Sequence, residues 1–299
     1  MPGLESDMKQ NRNLCALAVF VSAVLWGTYG SFVTVISAAG LGRNIMQAFR
    51  FGMTALTAGL YMLYKDRSLF RVRKEDVIFF LLNGFASILF FTSCYTMAIQ
   101  ETKIATAAAL LYTAPAIVLV LSVILFGEKL NAKKVFCILL SILGCAFVSG
   151  LGNGSAGLTA RGLLLGLGAG LGYALYSIFS RFILDRGYSV YTNIFYTFGI
   201  ATVSYLVISI ADGTVTQAAE YPAASFLAVL CGLFTGSAPY ILYTSGLQGM
   251  ESSRAAQIAT IEPVTAAVLG MVLFHQTLSL TELLGVAMVV GAVVMMNRK

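Results

Sequence analysis

A chain of 299 residues that is 58% hydrophobic and 11% charged, with a mean hydropathy of +0.85 and a net charge of +6, lies far from soluble globular composition, about a quarter of which is charged. At about 20 apolar residues per span, this length holds roughly ten membrane-crossing helices with short loops and no separate soluble domain. Nucleic-acid binding, disorder and a secreted disulfide scaffold are poor readings, because Cys15, Cys94, Cys137, Cys145 and Cys231 are scattered through apolar runs with no C-x-x-C spacing.

Apolar runs and their breakers predict ten helices in chain order, at 14 to 38, 44 to 64, 77 to 99, 104 to 126, 132 to 150, 161 to 184, 190 to 211, 223 to 246, 253 to 274 and 281 to 296. The first run is too long for a secretory signal and reads as a retained span. It carries Ser22, Trp26 and Tyr29 on one face. In the second, Gln47, Arg50, Thr54 and Thr57 fall at i, i+3, i+7 and i+10, one polar stripe on an apolar helix. Arg50 is the strongest anomaly, since a guanidinium in mid-span costs several kcal/mol in lipid and must face water, a partner or protein interior. It reads either as a cavity cation for a carboxylate or as a static ion pair. The third helix adds Tyr95 and the fourth Tyr112 and Pro115. The sixth carries Tyr173, Tyr176, Ser177 and Ser180 on one face, with glycines at 162, 166, 168, 170 and 172 in G-x-x-x-G spacings that suit close helix packing. Asn193 and Tyr196 lie on the seventh and Tyr240 and Tyr243 on the eighth, while the ninth bears Gln257 and Glu262 beside Pro263. Glu262 reads as a binding or proton-exchanging carboxylate, or as a cap for backbone freed at a proline kink; Pro115 and Pro263 mark flexing points.

Fifteen of the nineteen Lys and Arg residues, Lys9, Arg298 and Lys299 among them, collect on one side when the N-terminus is cytoplasmic, with Arg43, Lys103 and Arg161 opposite and Arg50 inside a span, which predicts both termini inside. An offset of 148 lays Tyr95-Thr96 on Tyr243-Thr244, Gln100 on Gln248, Pro115 on Pro263 and Leu125-Phe126 on Leu273-Phe274, with 11 of 36 positions identical from 95 to 130. An offset of 147 lays Trp26 and Tyr29 on Tyr173 and Tyr176. The expectation is an all-α polytopic membrane protein with ten transmembrane helices, built as two five-helix repeats at 1–150 and 151–299. Five is odd, so the second repeat enters the membrane inverted, as in many secondary transporters.

The two halves, Trp26-Gly27, Arg50-Phe51, the Pro115 run ending in Phe126-Gly127-Glu128, and Glu262-Pro263-Val264 together resemble the ten-helix EamA-like exporters of the drug/metabolite transporter superfamily. The resemblance covers nearly the whole chain. It implies transport of a small metabolite such as an amino acid, nucleoside or amine. Phe274-His275-Gln276 departs from it, since many relatives keep a Gly-Glu pair there.

No G-x-x-x-x-G-K-[ST] occurs, so Gly150 to Gly157 reads as a connector, ATP is not the energy source within the chain, and no cofactor is expected. The single histidine, His275, and the scattered cysteines exclude a zinc site. No aspartate lies in a predicted span, which argues against an intramembrane protease and against an enzyme generally. The favoured function is a secondary transporter in the cytoplasmic membrane, moving an amphipathic solute outward by alternating access. Its partners are that solute, the lipid bilayer and, through Glu262, protons. The alternatives are an uncoupled facilitator and a sensor or scaffold without flux.

Overall fold

The computed structural model describes residues 11–102, 104–148, 159–275 and 277–297, and among these residues the regular structure is helical, with no strand. The predicted connector Gly150 to Gly157 and Lys9, Lys103, Gln276, Arg298 and Lys299 lie outside them.

The first predicted helix forms as two, α1 (Arg12–Gly27) and α2 (Tyr29–Ala38). Asn11 starts α1 by accepting the backbone N–H groups of Asn13 and Leu14 with its side chain, and Thr28 interrupts the run. The helix α3 (Arg43–Lys65) is followed by the short helices Arg67–Phe70 and Lys74–Asp76. The third predicted helix comprises α4 (Val77–Leu82), a π-helical stretch Asn83–Leu89, and α5 (Phe90–Glu101). The fourth breaks at Tyr112 and Thr113 into α6 (Ile104–Leu111) and α7 (Ala114–Phe126), and α8 (Ala132–Val148) follows.

In the second half, α9 (Ala160–Asp185) and α10 (Val190–Ala211) are unbroken, each started by a side-chain cap from Thr159 or Ser189. After α11 (Gln217–Glu220), the eighth predicted helix comprises α12 (Pro222–Cys231), a π-helical stretch Gly232–Ser237, and α13 (Ala238–Gly246). The ninth breaks at Thr260 into α14 (Ser252–Ala259) and α15 (Ile261–Phe274), and α16 (Leu280–Asn297) is the last helix among the described residues.

The irregularities repeat with the sequence. At an offset of 148 the π-helical residues 84–89 fall on 232–237, the break at Tyr112 falls on Thr260, and the left-handed residue Gly127 falls on left-handed His275. Pro115 and Pro263 do not kink continuous helices as expected: each sits in the first turn after a break, where a missing N–H leaves no bond unmade.

Among the described residues, seven segments are long and apolar enough to cross a membrane: Arg12–Ala38, Lys74–Glu101, Thr106–Phe126, Ala160–Asp185, Val190–Ala211, Pro222–Gly246 and Ser252–Leu273. The apolar Leu280–Met296 is shorter. Outward-facing Leu56, Leu60 and Leu63 on α3, and Ile124 and Leu164 elsewhere, are more than half exposed, a surface that suits hydrocarbon rather than water. This is a multi-pass membrane protein.

The packing keeps its pattern when the halves are exchanged. The helix α3 lies on α10 and α8 on α16, each on its repeat mate, while α1 packs on α13 and α9 packs on α5. Small residues permit the approach: a Cβ added at Gly172 of α9 would lie 2.8 Å from the backbone nitrogen of Phe91.

Candidate functional site

The polar stripe of α3 faces the π-helical turn Gly232–Ser237. Gly232 and Gly236, four residues apart, leave no room for side chains there; a Cβ on Gly232 would lie 2.9 Å from the Arg50 carbonyl oxygen. That contact lets buried Arg50 donate from Nε to Thr235 Oγ1 at 3.0 Å and from Nη2 to the Thr235 carbonyl at 2.8 Å. The guanidinium carbon sits 4.1 Å from the centre of the Tyr29 ring, a cation–π contact, and Tyr29 in turn donates to Gln47 Oε1 at 3.1 Å. Further along the stripe, Thr54 donates to the Arg50 carbonyl at 2.9 Å, and Thr57 meets Ser237 Oγ at 2.6 Å. Arg50 is thus held by neutral groups, Thr235 of the other half and Tyr29 of its own. Among the described residues no ion pair joins it to Glu262 or to any other carboxylate.

Glu262 occupies the first turn of α15, beside α1. Its carbonyl oxygen lies 2.8 Å from where a Cβ on Gly27 would project, so the Trp26-Gly27 pair brings α1 onto the Glu262 turn. The carboxylate acts electrostatically on Arg50 and on the phenols of Tyr95, Tyr112, Tyr173 and Tyr240. None of these four phenols makes a hydrogen bond among the described residues, and Glu262 Oε2 is buried without a partner. The Glu262 oxygen thus departs from the usual rule that buried polar groups are hydrogen-bonded, while the four phenols that feel its charge leave it unmet.

Trp26 supplies the apolar part of the wall, its ring 5.0 Å from that of Tyr240, 5.3 Å from Tyr243 and 6.2 Å from Tyr173, while its Nε1 also lacks a partner. Tyr176 and Tyr243 belong to the same wall, but their hydroxyls are engaged, at 2.7 Å each, with Thr244 and Ser177. The cavity between these rings measures about 10 Å³, about the space of one water.

Three residues nominated from the sequence are engaged elsewhere. Tyr196 donates to the Phe70 carbonyl at 2.7 Å and tethers the Arg67–Phe70 turn. Gln257 is buried with its amide nitrogen on Ser141 and the Cys137 carbonyl of α8, leaving only Oε1 unpartnered. Gln47 is taken up by Tyr29.

Sequence reasoning missed Thr235 and Ser237, whose signal is the Gly232-x-x-x-Gly236 spacing around them. It also missed Asn83, which donates to Ser180, Asn193 and Thr197 at 3.3, 2.9 and 3.0 Å and ties the first π-helical stretch to α9 and α10. Asparagine within an apolar run was the available signal.

Comparison with known proteins places this geometry in a family. The EamA-like transporter family profile matches twice, at residues 13–150 and 160–298. An uncharacterized transporter of Archaeoglobus fulgidus is 31% identical over 284 residues, covering 94% of this chain and 96% of that protein. The uncharacterized transporter YxxF of Bacillus subtilis is 25% identical over 96% of this chain and 90% of its own length. The uncharacterized inner membrane transporter YicL of Salmonella typhimurium is 21% identical over 94% of each. One solved crystal structure has the same fold, with a TM-score of 0.79 at 16% identity over 96% of this chain and 97% of that one.

Proposed function

This chain belongs to the EamA-like transporter family, and on that premise we propose that it is a secondary transporter that exports a small amphipathic organic solute, an amino acid or a molecule of similar character. The observation that carries the proposal is the unsatisfied set around Glu262: one carboxylate oxygen without a donor, and the phenols of Tyr95, Tyr112, Tyr173 and Tyr240 without acceptors. A solute that carries both a hydrogen-bond donor and an acceptor on an apolar body completes both, the donor at Glu262, the acceptor at the phenols and the body against Trp26. Arg50 then holds α3 to the π-helical turn and presents Tyr29, and meets an anionic group of the solute only as its contacts with Thr235 loosen.

In this reading ten helices cross the cytoplasmic membrane as two inverted five-helix repeats, with both termini in the cytoplasm. The exchange-symmetric packing of α3 on α10 and α8 on α16 supports it. The halves rock about the shared site, and the paired breaks at Tyr112 and Thr260 are where the helices bend. Energy comes from an ion gradient: Glu262 takes up a proton as the solute leaves and returns it as the next one binds.

The test is a thermal-stability screen of the purified protein against small organic solutes. A ligand present at 100 times its Kd stabilises by about 2.7 kcal/mol. Solutes that raise the melting temperature of the unmodified protein and not of Glu262→Gln place the site here; solutes that stabilise both equally place it elsewhere.

A further inference from the structure

Charged contacts join the two halves on one face, and the binding site uses none of them. Gly127 ends α7 in the left-handed conformation with φ +65°, and the next residue, Glu128, reaches across to α14. Its carboxylate accepts the Ser252 backbone N–H at 2.8 Å and the Ser253 hydroxyl, satisfying a helix N-terminus that belongs to the other half. Glu251, just before α14, meets Lys134 Nζ at 2.9 Å, and Lys134 also stands 3.9 Å from Glu128. The Glu128 and Lys134 side chains are only 8% and 9% exposed, so these charges are desolvated and screened less than a surface pair. On the same face Arg181 donates to the Leu247 and Met250 carbonyls at 3.0 and 3.2 Å. Beneath the charges α7 packs on α14, with Ala256 in an apolar cluster with Ala114, Val118, Ala174 and Ile178.

The repeat does not provide the same closure on the opposite face. At an offset of 148, Glu128 becomes Gln276, Lys134 becomes Glu282, and Ser252-Ser253 falls on Ile104-Ala105. Glu282 instead accepts the Ser279 N–H at 2.6 Å and its hydroxyl at 2.8 Å, within its own helix start. Among the described residues α6 does not pack on α15 as α7 packs on α14. We infer that Glu128, Lys134 and Glu251 form a one-sided latch between the fourth and ninth segments. The latch holds shut the face that carries it, so the resting protein favours the conformation reached from the opposite face over the mirror conformation. The inference adds a resting bias to the alternating-access reading.

The test is the labelling rate of a cysteine at Ala256→Cys by a membrane-impermeant maleimide in proteoliposomes. The five native cysteines are buried and form the background. Glu128→Gln removes the charge from the cap and raises labelling from the latch face roughly tenfold, the equilibrium effect of one charge-assisted hydrogen bond. Lys134→Glu alone also raises it, and adding Glu251→Lys restores the slow rate. Unchanged labelling in Glu128→Gln and Lys134→Glu, or a double variant labelled as fast as Lys134→Glu, overturns the latch. If Glu128→Gln does not fold, the lysine variant and its rescue decide, because both keep the cap. The readout needs no solute, so it fails or succeeds independently of the transport reading.

Discussion

The two charges set within apolar surroundings, Arg50 and Glu262, differ in how fully the protein satisfies them. Arg50 donates twice to Thr235 and lies over Tyr29, which predicts that it is a structural as well as a functional residue. Arg50→Lys keeps the charge and loses the fork, and should cost about 1.5–3 kcal/mol of stability in thermal or denaturant unfolding. Thr235→Val leaves the Nε donor buried without its hydroxyl acceptor and should cost about 1–3 kcal/mol in the same assay. Glu262 behaves oppositely. Its Oε2 accepts nothing, so Glu262→Gln should change stability by less than about 1 kcal/mol while abolishing proton-driven accumulation of solute. Accumulation that survives unchanged would remove Glu262 as the coupling group. Both anomalies were legible in the sequence because a lone charge in an apolar run must be met by water, a partner or protein interior. Their partners were not, since Thr235 and the phenols lie on segments whose contacts with α3 and α15 no local pattern encodes.

Among the elements, the long apolar runs were legible and the interruptions within them were not. Hydropathy averages over a window, so Thr28, Tyr112-Thr113 and Thr260 vanish inside segments that remain apolar on both sides of the break. Pro115 and Pro263 pointed to the right turns for a different reason: they follow helix breaks instead of bending continuous helices. The glycine spacing of α9 was read correctly as close packing, and it supports a paired prediction. Gly172→Ala drives a Cβ to 2.8 Å from the Phe91 nitrogen, forces α9 away from α5, and should destabilise by about 1–3 kcal/mol. Gly199→Ala on α10 meets nothing within 4 Å and should be neutral or stabilising by about 0.5–1 kcal/mol, through the helix preference of alanine. Melting temperatures of the two variants should move in opposite directions. Equal shifts would mean that the α9–α5 approach is looser than described.

The whole molecule is a duplicated unit in which α3 meets its mate α10 and α8 its mate α16, and the duplication was visible as the 148-residue offset because 11 of 36 positions from 95 to 130 are identical without a gap. How the halves lie across the bilayer depends on charges in loops. Thiol labelling of cysteines placed at Lys129 and at Leu278 should therefore report opposite sides of the membrane, and same-side labelling would remove the inverted repeat. The central claim is that this two-half protein carries an amphipathic solute through the region of Glu262 and the unpartnered tyrosines. It is tested most directly by counterflow in proteoliposomes loaded with the solute that most stabilises the purified protein. The account predicts saturable, nucleotide-independent uptake of labelled solute, accelerated by unlabelled solute inside and at least roughly tenfold slower in Tyr173→Ala, which removes a ring and a phenol from the wall, a loss of 1.4 kcal/mol or more. Uptake no faster than in empty liposomes, or equally fast in that variant, would contradict it.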